Sequence, residues 1–354
     1  MIHTVELVNT INEKKVFQLL LEHYHASEIL EVMDKLKKLG ESIELKVSIP
    51  GIIICSIKPV NNDFFRIYLR VDLQALIIGS RTIDVFKCSK RSVGELRTAL
   101  DEAILNISSV LSNSTKWQVS RIDFTINLTS DYVKECIELA KKGNDPYRYR
   151  DTINKPGSSY RKSKSVTLNF YDKLDQISKK IIMNPSEKFL LEEATNIFRI
   201  EVQCLSSAKL RSIRKKFNLP NKSNLFDYLR ADIALWAIMS YYEKVIGKGD
   251  YYSLSQALKR IEATDWAMQR KNRIKNFLKF IAQTKSMSIA KMQFHEGKRL
   301  AGTETVVKGS RNTFRAYVKA CEEIGINPVT VPKDWGIYYI PNPIRSLDLS
   351  EVHN

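Results

Sequence analysis

Alternating apolar and polar positions mark residues 43–49, 51–58, 64–71, 81–87, 117–128, 166–171 and 198–204 as strands, because successive strand side chains point to opposite faces. Asn61-Asn62-Asp63 and Gly79-Ser80 supply turn signals between the early strands. A helical period covers residues 13–38, where Val16, Leu19, Leu20, His23 and Leu30 fall on one side. Ser92 with Glu95 reads as a capping box opening a helix to about residue 111, and Ser130 opens another to about 142. Residues 143–164 read as a polar loop dotted with aromatics. From Ser207 the pattern turns helical, with segments at 209–217, 225–246, 254–262, 265–282, 288–300 and 313–324. These elements predict an α+β fold: a central sheet with helices on one face, followed by an all-helical C-terminal domain. The predicted domains are residues 1–206 and 207–354.

Length supports that division, since 354 residues exceed one ordinary core. Hydrophobic residues make up 44% and charged residues 27%, a globular rather than a disordered composition. No apolar run is long enough to span a bilayer and the N-terminus lacks a signal-peptide pattern, so a cytoplasmic location is expected. The five cysteines have no zinc-ligand spacing and read as small buried residues of a reduced compartment.

Charge changes the picture. The net charge is +17, and residues 209–319 hold 24 basic and 8 acidic residues, leaving the remainder close to neutral. A one-sided excess of this size is the footprint of a protein that meets phosphate backbones, because each neutralised phosphate releases counterions. The helices that carry it also contain tryptophans and tyrosines within apolar stripes, which suits packed structure better than a membrane-lying face. Arg214, Lys215, Lys216, Arg270 and Arg273 are the DNA-contact candidates there. The alternative is a solvated helical face. Residues 312–329 have the outline of part of a helix-turn-helix without a specific signature.

Three of the strands have an unusually polar face. Arg121, Asp123 and Thr125 oppose Ile122, Phe124 and Ile126. Thr167, Asn169 and Tyr171 oppose Val166, Leu168 and Phe170. Arg199, Glu201 and Gln203 oppose Ile200 and Val202. Stacking the apolar sets on helices brings Asp123, Glu201 and Tyr171 to one side of one sheet. Two carboxylates on adjacent strands can hold a hard divalent cation, and such a cation polarises a phosphodiester. A tyrosine beside it can attack phosphorus once activated. Arg121, Arg199 and Lys173 are candidates to clamp phosphate oxygens. The bland reading is a set of cross-strand ion pairs on a wet sheet face.

Arg121-Ile122-Asp123-Phe124, Asn169-Phe170-Tyr171-Asp172-Lys173 and Arg199-Ile200-Glu201-Val202 resemble, in order, three blocks of rolling-circle replication initiators and relaxases. The likeness is to the group from small Gram-positive plasmids, phages and integrative elements that lacks the paired-histidine metal motif, and it covers about residues 117–204. It implies nicking of one DNA strand at an origin hairpin, a 5′-phosphotyrosyl intermediate, a free 3′ hydroxyl and dependence on Mg2+ or Mn2+. Asp123 and Glu201 carry over as metal ligands. The nucleophile stays open between Tyr171, within its block, and Tyr160 in Ser159-Tyr160-Arg161-Lys162-Ser163. The Gly-Ser-Arg that follows the family's upstream tyrosine is missing here. Strand register favours Tyr171, with Tyr160 in a loop.

That loop interleaves tyrosines with cations at Arg148, Arg150, Arg161, Lys162 and Lys164, a composition suited to single-stranded DNA. His23-Tyr24-His25 resembles a paired-histidine motif only superficially, because positions i and i+2 lie on different sides of a helix. The expected partners are origin duplex or hairpin DNA and the single strand at the nick, with a host helicase and a second copy of the chain as further candidates and no membrane. The competing readings are a non-catalytic DNA-binding maintenance or regulatory protein, and a metal-dependent nuclease without a covalent step.

Overall fold

The computed structural model describes residues 1–146, 149, 151–181 and 187–347. The fold is α+β: an antiparallel nine-stranded sheet in the N-terminal part and a largely helical C-terminal region. The strands are β1 (Ile2–Asn12), β2 (Ile43–Leu45), β3 (Ile52–Pro59), β4 (Phe64–Asp72), β5 (Gln118–Thr129), β6 (Asp151–Lys155), β7 (Ser158–Lys162), β8 (Val166–Asp172) and β9 (Ile197–Cys204). Their order is β2-β3-β4-β1-β5-β9-β8-β7-β6. The long strands β1 and β5 lie side by side at its centre, each flanked outward by a meander.

Directly paired residues share a face, so register divides the sheet cleanly. Ile122, Phe124, Ile126, Ile200, Val202, Leu168 and Phe170 all face the core and are buried. Onto this side pack α5 (Val133–Lys141), α8 (Ser207–Lys216) and α10 (Ala231–Val245). One hydrophobic core runs from the sheet through Leu210, Ile213, Ile233, Ala237 and Ile238, so it is continuous across Ser206. The helices that follow the sheet in sequence therefore complete its core.

The opposite face is partly covered. Helices α6 (Lys173–Ile181) and α7 (Phe189–Glu193) meet the segment around Ile83 in a second, smaller core of Ile83, Ile177, Leu190 and Ala194. Residues 81–87, expected as a strand, form only an isolated bridge between Ile2 and Phe86. Their backbone is used elsewhere: the Ile83 carbonyl accepts from Asn127 and Arg199.

Several helices divide differently from the pattern. Residues 13–38 form α1 (Glu13–His23) and α2 (Ala26–Lys38), because Tyr24 is extended and the Glu28 carboxylate accepts the His25 backbone N–H. His23 contacts the Ile107 carbonyl through Nε2 at 2.8 Å, at the end of α4 (Lys90–Ile107), which Ser89 rather than Ser92 caps. A short α3 (Leu73–Ile78) follows β4, and α9 (Leu225–Tyr228) precedes α10.

The remainder comprises α11 (Leu254–Glu262), α12 (Met268–Thr284), α13 (Met287–Glu296) and α14 (Arg311–Glu323). Two short ribbons pair β10 (Tyr251–Tyr252) with β13 (Tyr339–Ile340) and β11 (Lys298–Arg299) with β12 (Val306–Val307), so the C-terminal region expected as all-helical is largely helical. Phe277, Phe294, Phe314 and Tyr317 interlock edge to face at their centre. No helix among the described residues is long and apolar enough to cross a membrane.

Candidate active site on the polar face of the sheet

Cross-strand register brings the expected residues to one face. Asp123 pairs with Gln203, Thr125 with Glu201 and Asn127 with Arg199; on the far side of β9, Asn169 pairs with Glu201 and Tyr171 with Arg199. Asp123 and Glu201 are thus diagonal neighbours on adjacent strands, both buried. Tyr160 and Ser158 extend the row, opposite Asn169 and Tyr171.

Tyr160 does not lie in a loop. It belongs to β7, whose hairpin with β6 turns at Pro156-Gly157. Gly157 has φ +70°, and a Cβ there would stand 2.5 Å from Asp175 Oδ2 of α6, so the turn seats closely against that helix. Two tyrosines therefore share the face, and they differ in access. Tyr171 is 4% exposed and donates its hydroxyl to Glu201 Oε2 at 3.4 Å. Burial, reinforced by the Glu201 charge, pushes its pKa well up. Tyr160 is only half-buried, with the Lys162 ammonium 5.8 Å from its ring centre.

The carboxylates are held in different ways. Arg121 grips Asp123 bidentately, with both bonds at 2.8 Å. Burial raises the Asp123 pKa; Arg121 opposes the rise and the neighbouring Glu201 charge adds to it. Burial would also raise Glu201, but hydrogen bonds from His3 and Gln203 and the charges of His3 and Arg199 outweigh it and hold Glu201 low.

His3 has no counterpart in the sequence reading. A β-bulge in β1 between Ile2 and Val5 re-aims the chain there. The ring then sits between two carboxylates, Nε2 at 3.3 Å from Asp72 Oδ2 and Nδ1 at 3.6 Å from Glu201 Oε2. Burial would lower its pKa, but the hydrogen bonds to Asp72 and Glu201 outweigh burial and raise it. Sequence offered no signal that would group His3 with Asp72 and Glu201.

The other candidates scatter. Arg199 is fully buried; it bonds to Asn127 Oδ1 at 2.6 Å and to the Ile83 carbonyl, so it pins the covering segment to the sheet rather than reaching a phosphate. Arg161 is also fully buried, on the core side of β7. It donates to the Ala140 and Lys141 carbonyls at the end of α5 and pairs with Asp145, which leaves the expected DNA-contact role at this position without an accessible side chain. Lys173 is buried and donates to Gln176. Lys162 is half-buried and Lys164 exposed.

Arg148 and Arg150 lie outside the described residues. In the C-terminal region Lys215, Lys216 and Arg273 are exposed, Arg214 donates to the Asn221 carbonyl, and Arg270 pairs with Glu323 over the Trp266 ring.

Among the described residues no three histidine, cysteine, aspartate or glutamate side chains are grouped closely enough to hold a metal ion by themselves. Magnesium, however, is commonly held by one or two carboxylates with water and substrate phosphate completing the shell. Asp123 and Glu201 fit that mode. Their mutual repulsion is what a cation would relieve, and each carboxylate keeps lone pairs beyond its present bonds.

No family model, no curated protein and no solved structure matches this chain. The functional reading therefore rests on the geometry of this face.

Proposed function

We propose that the chain is a metal-dependent DNA-nicking and strand-transfer enzyme of the rolling-circle initiator or relaxase type, acting through Tyr160. The observation that carries this reading is a half-buried tyrosine on the same sheet face as a buried, diagonal Asp–Glu pair, in one cross-strand row with Glu201. Asp123 and Glu201 would hold Mg2+ or Mn2+, which when bound supplies charge stabilisation at the scissile phosphate. Arg121 fixes the Asp123 carboxylate, and His3 and Gln203 fix Glu201.

The Tyr160 oxygen attacks phosphorus in line and passes its proton to solvent water, which returns one to the departing 3′ oxygen. A phosphotyrosyl ester forms with the 5′ side of the strand, and the bond to the 3′ oxygen breaks, leaving a 3′ hydroxyl after protonation. Tyr171 acts as a positioning residue that orients Glu201. The basic C-terminal helices supply sequence-independent affinity for the origin duplex.

The test is incubation of the full chain with supercoiled DNA carrying candidate origin hairpins, with Mn2+, followed by denaturing electrophoresis. A covalent protein–DNA band is the expected outcome. Free cut ends would point to a nuclease without a covalent step, and shifted but uncut DNA to a non-catalytic binding protein; either result sinks the proposal.

A further inference from the structure

On the core side of the sheet, α8 and α10 turn an outer surface to solvent that the active-site reading does not use. Aromatic rings and lysine ammonium groups alternate along it. Lys216 lies 5.8 Å from the Phe217 ring centre and 5.0 Å from that of Trp236. Lys209 lies 5.1 Å from Trp236 and 4.9 Å from Tyr241, and Lys244 lies 5.0 Å from Tyr241. Phe217 and Trp236 meet edge to face at 5.5 Å. All three rings are half-buried, so each keeps accessible surface while its base is anchored in the core.

The charge around the row is one-sided. Helix α8 has no acidic residue. The two carboxylates of α10, Asp232 and Glu243, pair with Arg230 and Lys248. Lys209 has its pKa lowered, first by burial and then, among other influences, by the nearby Lys244 charge. Lysines crowding one another over rings, without a carboxylate to share, are a surface arranged for an anion with flat faces.

We propose that this row is a binding track for single-stranded DNA, with bases stacked on Phe217, Trp236 and Tyr241 and phosphates met by Lys209, Lys216 and Lys244. Stacking on aromatics flanked by cations is sequence-tolerant, because every base has a π face, and the lysines leave the rings for the phosphates when the strand arrives. A duplex does not fit this chemistry, since its bases are already stacked. A membrane would find no apolar belt here. Strand β9 carries Glu201 on its polar face and packs against α10 on the other, so the track lies across the sheet from the nicking site. A strand peeled from the nick would be held there, away from its complement. The inference rests on the reading that the chain handles unwound DNA.

The experiment measures binding of a fluorescein-labelled oligothymidylate of about 16 nucleotides to the full chain by anisotropy, as a function of salt. Trp236→Ala is expected to weaken binding by roughly 5- to 150-fold, the range for one lost stack, while Trp236→Phe retains most of the affinity. The double substitution Lys209→Gln, Lys216→Gln is expected to reduce the slope of log affinity against log salt by about 1.4, two phosphates at the single-strand value. Equal affinity for wild type and a folded Trp236→Ala overturns the proposal, as does an unchanged salt slope in the lysine variant. Should Trp236→Ala unfold, the lysine variant decides alone. The oligonucleotide has no hairpin, so loss of binding here with covalent capture of supercoiled DNA retained is distinguishable from the reverse, which sinks the nicking proposal and leaves the track.

Discussion

Tyr171 gives its hydroxyl hydrogen bond to Glu201 at 3.4 Å, from the strand next to it and on the same face. The bond fixes the carboxylate from the β8 side, while His3 approaches it from β1. A phenol that is buried, bonded to an anion and pushed up in pKa is a poor nucleophile but a good support. Tyr160, one strand further out, has the access that Tyr171 lacks.

The two tyrosines are expected to separate on substitution. Tyr160→Phe abolishes covalent capture of DNA while leaving binding and folding intact. Tyr171→Phe keeps capture, slows it, and lowers stability by about 1 kcal/mol, the net worth of a typical hydrogen bond. Peptide mapping of the trapped adduct reads the answer directly: DNA on the peptide containing Tyr171 reverses the assignment.

Cation binding is expected to show in stability before any reaction. A ligand held only by the folded state at 100 times its Kd adds about 2.7 kcal/mol. Thermal unfolding of the wild type in a Mn2+ titration should therefore shift upward. Asp123→Asn and Glu201→Gln should each flatten that shift and abolish nicking, with duplex affinity retained. A Mn2+ shift of the same size in both variants removes Asp123 and Glu201 as ligands.

What could be read in the sequence follows from the physics of each element. Strands β5, β8 and β9 each alternate an apolar and a polar set, so their common face was legible without coordinates. Strands β6 and β7 were not, because the core-side position Arg161 of β7 is a cation, acceptable there through the Ala140 and Lys141 carbonyls, the Ser159 hydroxyl and Asp145. Ile83 and Val85 alternate as in a strand, yet the segment spends its carbonyl on Arg199 and Asn127 instead of a ladder. His3 was invisible for another reason: its partners Asp72 and Glu201 are remote in sequence, and a bulge sets its direction.

The continuous core changes what a truncation at Ser206 can report. Removing α8 and α10 uncovers Ile122, Phe124, Ile200 and Val202 and deletes Ile213, Ile233 and Ile238, each worth about 1.5–3 kcal/mol of burial. A chain ending there is expected to aggregate or to lack a cooperative urea transition. A sharp, reversible transition in that fragment would show that the sheet stands alone.

The contribution of the basic helices is better tested by charge than by deletion. Arg273, Lys279, Lys308, Arg311 and Arg315 are exposed. Changing three of them to glutamine is expected to leave the unfolding midpoint within about 0.5 kcal/mol, as for surface sites generally. The slope of log duplex affinity against log salt should fall by up to about 2.7, or 0.9 for each lost phosphate contact. An unchanged slope would place the duplex on another surface.

Arg161→Ala is expected to be among the most damaging single substitutions outside the apolar core. The guanidinium is fully buried and donates to the Ala140 and Lys141 carbonyls at the end of α5, where helix carbonyls lack intrahelical donors and Ala140 otherwise accepts the Gly143 N–H. Its loss empties a fully buried site and takes a donor from the Lys141 and Ala140 carbonyls, while Asp145, half-buried, keeps the Thr152 hydroxyl, at a cost of about 1–3 kcal/mol, the usual penalty of a buried polar group left unmatched. Arg161→Lys does not rescue this, because an ammonium cannot reproduce the planar fork. Urea unfolding of both variants checks the point, and the hairpin that carries Tyr160 gives a second readout. If Arg161 anchors β7 to α5, covalent capture falls with stability in both variants. Had Arg161 instead contacted DNA, binding would weaken while the unfolding midpoint stayed where it is in the wild type.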